Sequence, residues 1–224
     1  MASLESHDVI VLIPAYNEAA RIAQVVRAVK ERGYGALVVD DGSSDPTAAK
    51  ALAAGALVER RATNGGKGAA IRRGLETFLH LNAKAVILMD SDGQHDPDEL
   101  PLFLGALAGA DVVVGNRLDR PDGMSALRCL TNRLMSWTLS RLAGRRIPDT
   151  QCGYRALTRE AVSRLRLKTD RFEIESEMLL EAAARGLRIV SVPVRSIYAG
   201  ERSRIRPFGD TLRFFLFLIK YRHN

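Results

Sequence analysis

Along the first half of the chain, short β-branched apolar runs alternate with stretches whose apolar residues recur every three or four positions. Asp8 to Ile13 is followed by Glu18 to Arg32, Ala36 to Asp40 by Pro46 to Ala54, and Ala85 to Met89 by Asp98 to Leu107. The runs read as strands and the periodic stretches as helices, and their alternation predicts a mainly parallel sheet flanked by helices. In the first predicted helix Ile22, Val25, Val26 and Val29 share a face, and Gly33 follows where a C-terminal cap belongs. Asp111 to Val114 and Leu187 to Val194 predict later strands. Leu127 to Leu142 predicts an amphipathic helix carrying Arg128, Arg133 and Arg141. Beyond it the pattern is less regular. No repeat, low-complexity segment or linker interrupts the chain, so residues 1–224 are expected to form one domain with a variable C-terminal third.

Composition changes this picture mainly through charge. An apolar fraction of 46% closes a core of this size, and 33 Lys plus Arg against 26 Asp plus Glu give net +7. Such a balance suits a polyanionic partner: nucleic acid, a phosphorylated substrate or an anionic membrane surface. Nucleic acid is disfavoured, because the basic residues are not interleaved with any recognisable nucleic-acid motif. Cys129 and Cys152 lack the spacing of a zinc site and are too few for a disulfide framework, which fits a reducing compartment. The N-terminus lacks the pattern of a secretory signal, and no segment approaches the roughly 20 apolar residues that span a bilayer. A soluble or peripheral protein is expected.

Ligands of parallel α/β sheets bind beyond the carboxyl ends of strands, and the unusual polar residues fall there: Pro14-Ala15-Tyr16-Asn17-Glu18, Asp40-Asp41-Gly42-Ser43-Ser44-Asp45 and Asp90-Ser91-Asp92-Gly93-Gln94-His95. Asp90 and Asp92 are one residue apart. A local turn would aim both carboxylates at a hard divalent cation, Mg²⁺ or Mn²⁺, with the Gln94 carbonyl as a third oxygen ligand. The cation would neutralise a diphosphate leaving group. An Asp-rich turn capping the next helix is the competing explanation, and His95 by itself reads as a hydrogen-bonding turn residue. Asn64-Gly65-Gly66-Lys67-Gly68 precedes a helix, so its amides and ammonium could face a phosphate. Gly68 stands where a Walker loop needs Ser or Thr and Ile71 replaces the last glycine of a dinucleotide motif, so a plain turn into the helix stays open.

Together, PAYNE at 14–18, VVDDGSSDPT at 38–47, NGGKGAA at 64–70 and DSDGQHDP at 90–97 resemble the family 2 glycosyltransferases, in that family's order. The resemblance implies the GT-A fold, a Rossmann-like mainly parallel sheet flanked by helices. It also implies a nucleotide-sugar donor held by Pro14, Ala15, Tyr16, Glu18, Val39, Asp41, Lys67, Asp90, Ser91 and Asp92, with Asp90, Asp92 and Gln94 at the metal. The second half is similar to the polyprenyl-phosphate branch, the dolichyl-phosphate mannose and glucose synthases, through Gly115-Asn116-Arg117 and Asp149-Thr150-Gln151-Cys152-Gly153-Tyr154-Arg155. Asn116 departs from that branch's serine, and Arg204 stands where mannose-type enzymes carry lysine. No QxxRW segment occurs, which speaks against processive polysaccharide synthesis.

This branch implies inverting hexosyl transfer to a polyprenyl phosphate, with Asp92, Arg117 and Asp149 as catalytic residues. No general base is apparent, and an ionised lipid phosphate needs none. Cations would position it, and Arg117, Arg128, Asn132, Arg204 and Arg206 are the candidates; each arginine could also be a solvated surface residue. Thr211 to Arg222, with Phe214 to Ile219 between basic residues, either lies in a membrane interface as part of a basic, amphipathic 199–224 segment or docks on the core as a final helix. The Leu127 to Leu142 helix, with Trp137, is a second membrane candidate. The expected setting is cytoplasmic, peripheral at the inner face of the membrane, with a membrane-protein partner left open. The alternatives are the same donor chemistry on a soluble or protein acceptor, and a catalytically silent sugar-nucleotide-binding protein.

Overall fold

The structure, a computed structural model, describes residues 4–119, 121, 123–197, 214, 217, 218 and 221. In chain order it runs β1 (Val9–Ala15), α1 (Ile22–Glu31), β2 (Gly35–Asp40), α2 (Thr47–Ala53), β3 (Leu57–Arg60), α3 (Lys67–His80), β4 (Ala85–Leu88), α4 (Leu100–Leu107), β5 (Val112–Asn116), α5 (Ala126–Ala143), β6 (Arg155–Thr158), α6 (Arg159–Arg164), α7 (Ile174–Ala184) and β7 (Ile189–Pro193). The seven strands form one sheet in the order β3-β2-β1-β4-β6-β5-β7. Every pairing is parallel except those of β6, which runs antiparallel between β4 and β5. The expected mainly parallel sheet is therefore present, with one strand reversed.

β1 and β4 occupy the middle of the sheet and are covered by helices on both faces, which is why Val11, Leu12, Ile13, Val86 and Ile87 form unbroken apolar runs rather than alternating ones. α1 has the anticipated face of Ile22, Val25, Val26 and Val29, all buried, and Gly33 follows it with φ of 79°. α3 lies so close to β1 that a Cβ on Gly74 would overlap the Leu12 side chain.

Four expectations need correction. α1 begins at Ile22, not Glu18, because the preceding turn is tied to the β2–α2 loop: Glu18 N–H donates to Thr47 Oγ1 (2.9 Å) and Ala19 N–H to Asp45 Oδ2 (3.1 Å). α4 is preceded by a 3-10 turn, Pro97–Glu99, with Asp96 as its cap. β3 escaped notice because Leu-Val-Glu-Arg is a partly exposed edge strand with no apolar run. β6 escaped because it opens on Arg155, a fully buried cation.

At the C-terminal end, Phe214, Phe217, Leu218 and Tyr221 are helical and spaced to share one face. Phe214 and Leu218 are buried in the core, and Tyr221 Oη donates to Glu181 (3.2 Å). This face is packed on the protein.

Gly74→Val should lower unfolding free energy by about 1–3 kcal/mol through overpacking against Leu12, read from the urea midpoint at unchanged m-value.

Candidate active site

The order β2-β1-β4 brings the carboxyl ends of three parallel strands side by side, and with them Asp40-Asp41, Pro14-Ala15-Tyr16 and Asp90-Ser91-Asp92. Pro14, Ala15 and Val39 are buried in the sheet, so they line the crevice floor chiefly with backbone, whereas Tyr16 is exposed at its rim. Glu18 is buried beside them, with Arg21 3.8 Å from its carboxylate.

Asp41 organises the Asn64–Gly68 loop. Its carboxylate accepts from Gly65 N–H (3.1 Å) and Gly66 N–H (2.8 Å) and pairs with Arg61. Ala69 N–H donates instead to Asp170 O (3.0 Å). The expectation that this loop's amides face a phosphate is therefore corrected for Gly65 and Gly66, which hold the loop to Asp41, while Ala69 in α3 ties the helix start to the segment before α7. A Cβ on Gly68 would lie 2.6 Å from Thr169 O and from Asp170 C, so only glycine permits this approach.

Lys67 points inward. Its ammonium lies 2.6 Å from Asp90 Oδ1 and 2.7 Å from Glu175 Oε1, and a Cβ on Gly153 would touch all three groups. Three segments far apart in sequence thus meet at one cation. Burial disfavours the Lys67 charge, but Asp90 and Glu175 more than compensate and its pKa is raised. Burial likewise pushes the Asp90 carboxyl up, yet Lys67 and His95 bring it down to about 2. Asp92 moves the other way: burial raises its pKa and the neighbouring Asp90 charge raises it further. Asp92 Oδ1 accepts from Gln94 N–H (3.0 Å), and the Gln94 main-chain oxygen accepts from Ile197 N–H (2.9 Å). His95 Nδ1 accepts from Asp90 N–H (3.2 Å) while its ring stacks on Tyr154 at 4.7 Å; burial lowers its pKa despite the nearby carboxylates. His95 is thus a neutral brace for the turn.

Arg117 and Asp149 form a buried bidentate pair, Nε to Oδ2 at 2.8 Å and Nη2 to Oδ1 at 3.0 Å, and Arg117 N–H also donates to Asp149. Burial opposes the guanidinium charge, but Cys152 and Asp149 raise its pKa on balance, and that charge is felt at Asp90 and His95. Arg128 and Asn132 lie on α5, Asn132 buried and Arg128 partly so. Arg204 and Arg206 lie outside the described residues. Sequence reasoning missed Glu175 and Phe172, and it named Gly153 and Arg155 only as members of the 149–155 motif. Phe172 is exposed 5.9 Å from the Lys67 ammonium, and Arg155 donates to Cys152 O (2.8 Å), Thr150 O (2.7 Å) and Glu175 O, fastening the 149–153 segment to α7. The available clue was the alternation Glu173, Glu175, Glu177 at a helix start, two of which are buried.

Asp90 and Asp92 fit a hard divalent cation as a pair of carboxylates whose mutual repulsion already raises the Asp92 pKa. Among the described residues no group of three His, Cys, Asp or Glu side chains could enclose a metal. Two carboxylates without a third is the donor set of a cation that completes its shell with substrate phosphates and water.

Residues 10–166 match the family model described as Glycosyl transferase family 2. The chain belongs to that family. This family 2 member is 30% identical over 212 residues to UDP-N-acetylglucosamine--dolichyl-phosphate N-acetylglucosaminyltransferase of Methanococcus voltae, covering 84% of each chain. It is 31% identical over 201 residues to undecaprenyl-phosphate mannosyltransferase of Micrococcus luteus, covering 83% of this chain and 82% of that one. Glucosyl-3-phosphoglycerate synthase of Mycobacterium tuberculosis, solved with Mn²⁺, UDP and phosphoglyceric acid, shares the fold with a TM-score of 0.73 at 23% identity, covering 92% of this chain and 74% of that one. The expected GT-A architecture and glycosyltransferase class are thereby established.

Two outcomes test the site. Asp149→Ala strands a buried guanidinium and should cost about 3–5 kcal/mol of stability, seen as a lower denaturant midpoint. The pKa of Asp90 is depressed from an ordinary 3.8 to about 2. Its stabilisation is complete above pH 3.8 and lost as the pH falls toward about 2. In EDTA, Lys67→Met removes the main group that depresses the Asp90 pKa, so it should be less stable than the parent near neutral pH and lose less stability between pH 3.8 and about 2 during acid titration followed by circular dichroism.

Proposed function

We propose that this protein transfers a hexosyl group, with inversion, from a nucleoside-diphosphate sugar of the GDP-mannose or UDP-glucose type to a polyprenyl phosphate at a membrane face, with Mg²⁺ or Mn²⁺ as cofactor. The observation that carries the reading is the placement of a carboxylate pair, Asp90 and Asp92, and a buried cation, Arg117, on either side of the Asp149–Gly153 segment. The acceptor class is supported by the two relatives, whose names specify dolichyl and undecaprenyl phosphate. Their different sugars leave the donor to experiment.

A cation on Asp90 and Asp92 would neutralise charge on the departing diphosphate. The chain's own residues supply position. Lys67, fixed by Glu175, holds Asp90 ionised and oriented. Pro14, Ala15, Tyr16, Glu18, Val39, Asp41 and Ser91 shape the nucleotide side of the crevice. On the acceptor side Asp149 locks the Arg117 guanidinium in one orientation, so that the phosphate meets a preorganised charge. Arg128, Asn132, Arg204 and Arg206 complete the proposed acceptor set. A phosphate oxygen that is already anionic attacks the anomeric carbon without surrendering a proton, so the rate gain comes from alignment and charge neutralisation.

The test is a radiolabel transfer assay with polyprenyl phosphate, beside thermal-shift measurements of candidate donors with and without Mn²⁺. Label should enter the organic phase only when lipid acceptor and cation are both supplied, and one donor should give a Mn²⁺-dependent stabilisation. Asp92→Ala should abolish that dependence and reduce transfer by about 10²-fold or more. Label that stays in the aqueous phase on a soluble acceptor would refute the polyprenyl-phosphate assignment.

A further inference from the structure

Helix α5 has a buried inner face and, opposite it, an exposed apolar one. Its inner face buries Asn132, Met135, Ser136 and Leu139. On the outer face Leu127, Leu130, Leu134 and Trp137, spaced at i, i+3, i+7 and i+10, are 60%, 67%, 50% and 59% exposed. An apolar stripe of this kind on a soluble surface marks a contact with something else.

Charge says what that contact is. Between Met124 and Pro148 the sequence contains five arginines and no Asp or Glu. Arg133 and Arg141 are exposed beside the stripe, and the Arg141 guanidinium lies 5.3 Å from the centre of the Trp137 ring. A second copy of the chain docked through this face would bring arginines together with no acid to pair them. Leucines and an aromatic residue between arginines instead suit the boundary of an anionic bilayer, where the apolar side chains enter the acyl region and the guanidinium groups meet phosphate headgroups.

We propose that the outward face of α5 is the surface by which this protein docks on an anionic membrane. The inference rests on the polyprenyl-phosphate reading in naming lipid as the partner. The opposite face of the same helix is pinned to the acceptor side of the site: Thr150 N–H donates to Ser136 Oγ (2.9 Å), and Ile147 N–H donates to Ser140 Oγ (3.0 Å), which flanks Asp149 with two fixed neighbours. Docking therefore sets the Arg117–Asp149 pair at a defined height above the headgroups. Of the Thr211 to Arg222 stretch only Phe214, Phe217, Leu218 and Tyr221 are described, and they pack on the core; the rest of the expected membrane segment lies outside the described residues.

Trp137 is the sole tryptophan, so its fluorescence reports this face directly. The full chain is titrated with vesicles of phosphatidylcholine alone and of phosphatidylcholine with phosphatidylglycerol, with no donor, metal or acceptor present. The expected result is a blue shift with anionic vesicles only, quenching by brominated acyl chains, and at least tenfold weaker co-sedimentation for Leu130→Glu/Leu134→Glu. The variant's melting temperature should match the parent's, since both side chains are exposed. Vesicle binding without change at Trp137, or undiminished in the variant, overturns the assignment. So does a blue shift that follows protein concentration without vesicles, which would identify a second copy as the occupant. None of these readings involves sugar transfer, so failure here and failure of the transferase reading are distinguishable.

Discussion

One ammonium, that of Lys67, holds together the parts of the site that the chain keeps apart. It sits at the start of α3, meets Asp90 after β4 and Glu175 on α7, and leaves room beside it only for a residue without a side chain, Gly153. Two anions around one half-buried cation retain a net negative charge, which suits a place where a divalent ion is received. Glu175 is in turn held through its main-chain oxygen by Arg155, a guanidinium that also donates to the Cys152 and Thr150 carbonyls and so joins the two segments. The electrostatics of the crevice thus depend on a hydrogen-bond lattice that reaches into the last third of the chain.

The two ends of the crevice are built on different principles. At the Asp41 end, that carboxylate consumes the amides of Gly65 and Gly66, and the Asp170 carbonyl closes on Ala69, so the glycine loop is a fixed wall. Glu177 reinforces it by accepting from Lys168 N–H and Thr169 N–H, both at 2.9 Å. At the other end, Arg117 is immobilised by a partner of opposite charge, which limits its rotamers while keeping its charge in a dry environment. One end supplies shape and the other supplies field.

Much of this was legible in the sequence wherever local pattern and function coincide. The strands β1, β2 and β4 announce themselves as apolar runs, and each ends in turn residues and acids because the chain must leave the sheet there and ligands bind there. The family motifs sit in those same stretches. What stayed hidden is what depends on tertiary contact. Glu175 lies 85 residues beyond Asp90, and the alternation of Glu173, Glu175 and Glu177 around it does not say which cation it meets. Arg155 at the head of a strand contradicts the ordinary rule that charges stay outside, and is tolerated only because three carbonyls surround it. The glycine loop looked like a phosphate cradle because sequence shows which amides exist and not which carboxylate has already claimed them.

The reversed strand has a consequence for how the molecule comes into being. β4 and β5 do not pair with one another; four residues of β6 lie between them and supply the link from the β3-β2-β1-β4 block to the β5-β7 block. Those residues are synthesised after both blocks' inner strands, and they must be inserted between elements already made. Contacts of such long sequence separation form late and slowly. Because Asp149 to Tyr154 enter the crevice on the same stretch of chain, the pairing of β6 that joins the two blocks of the sheet also carries this segment to Asp90 and Lys67, and Glu175 and β7 complete the site and the sheet after it.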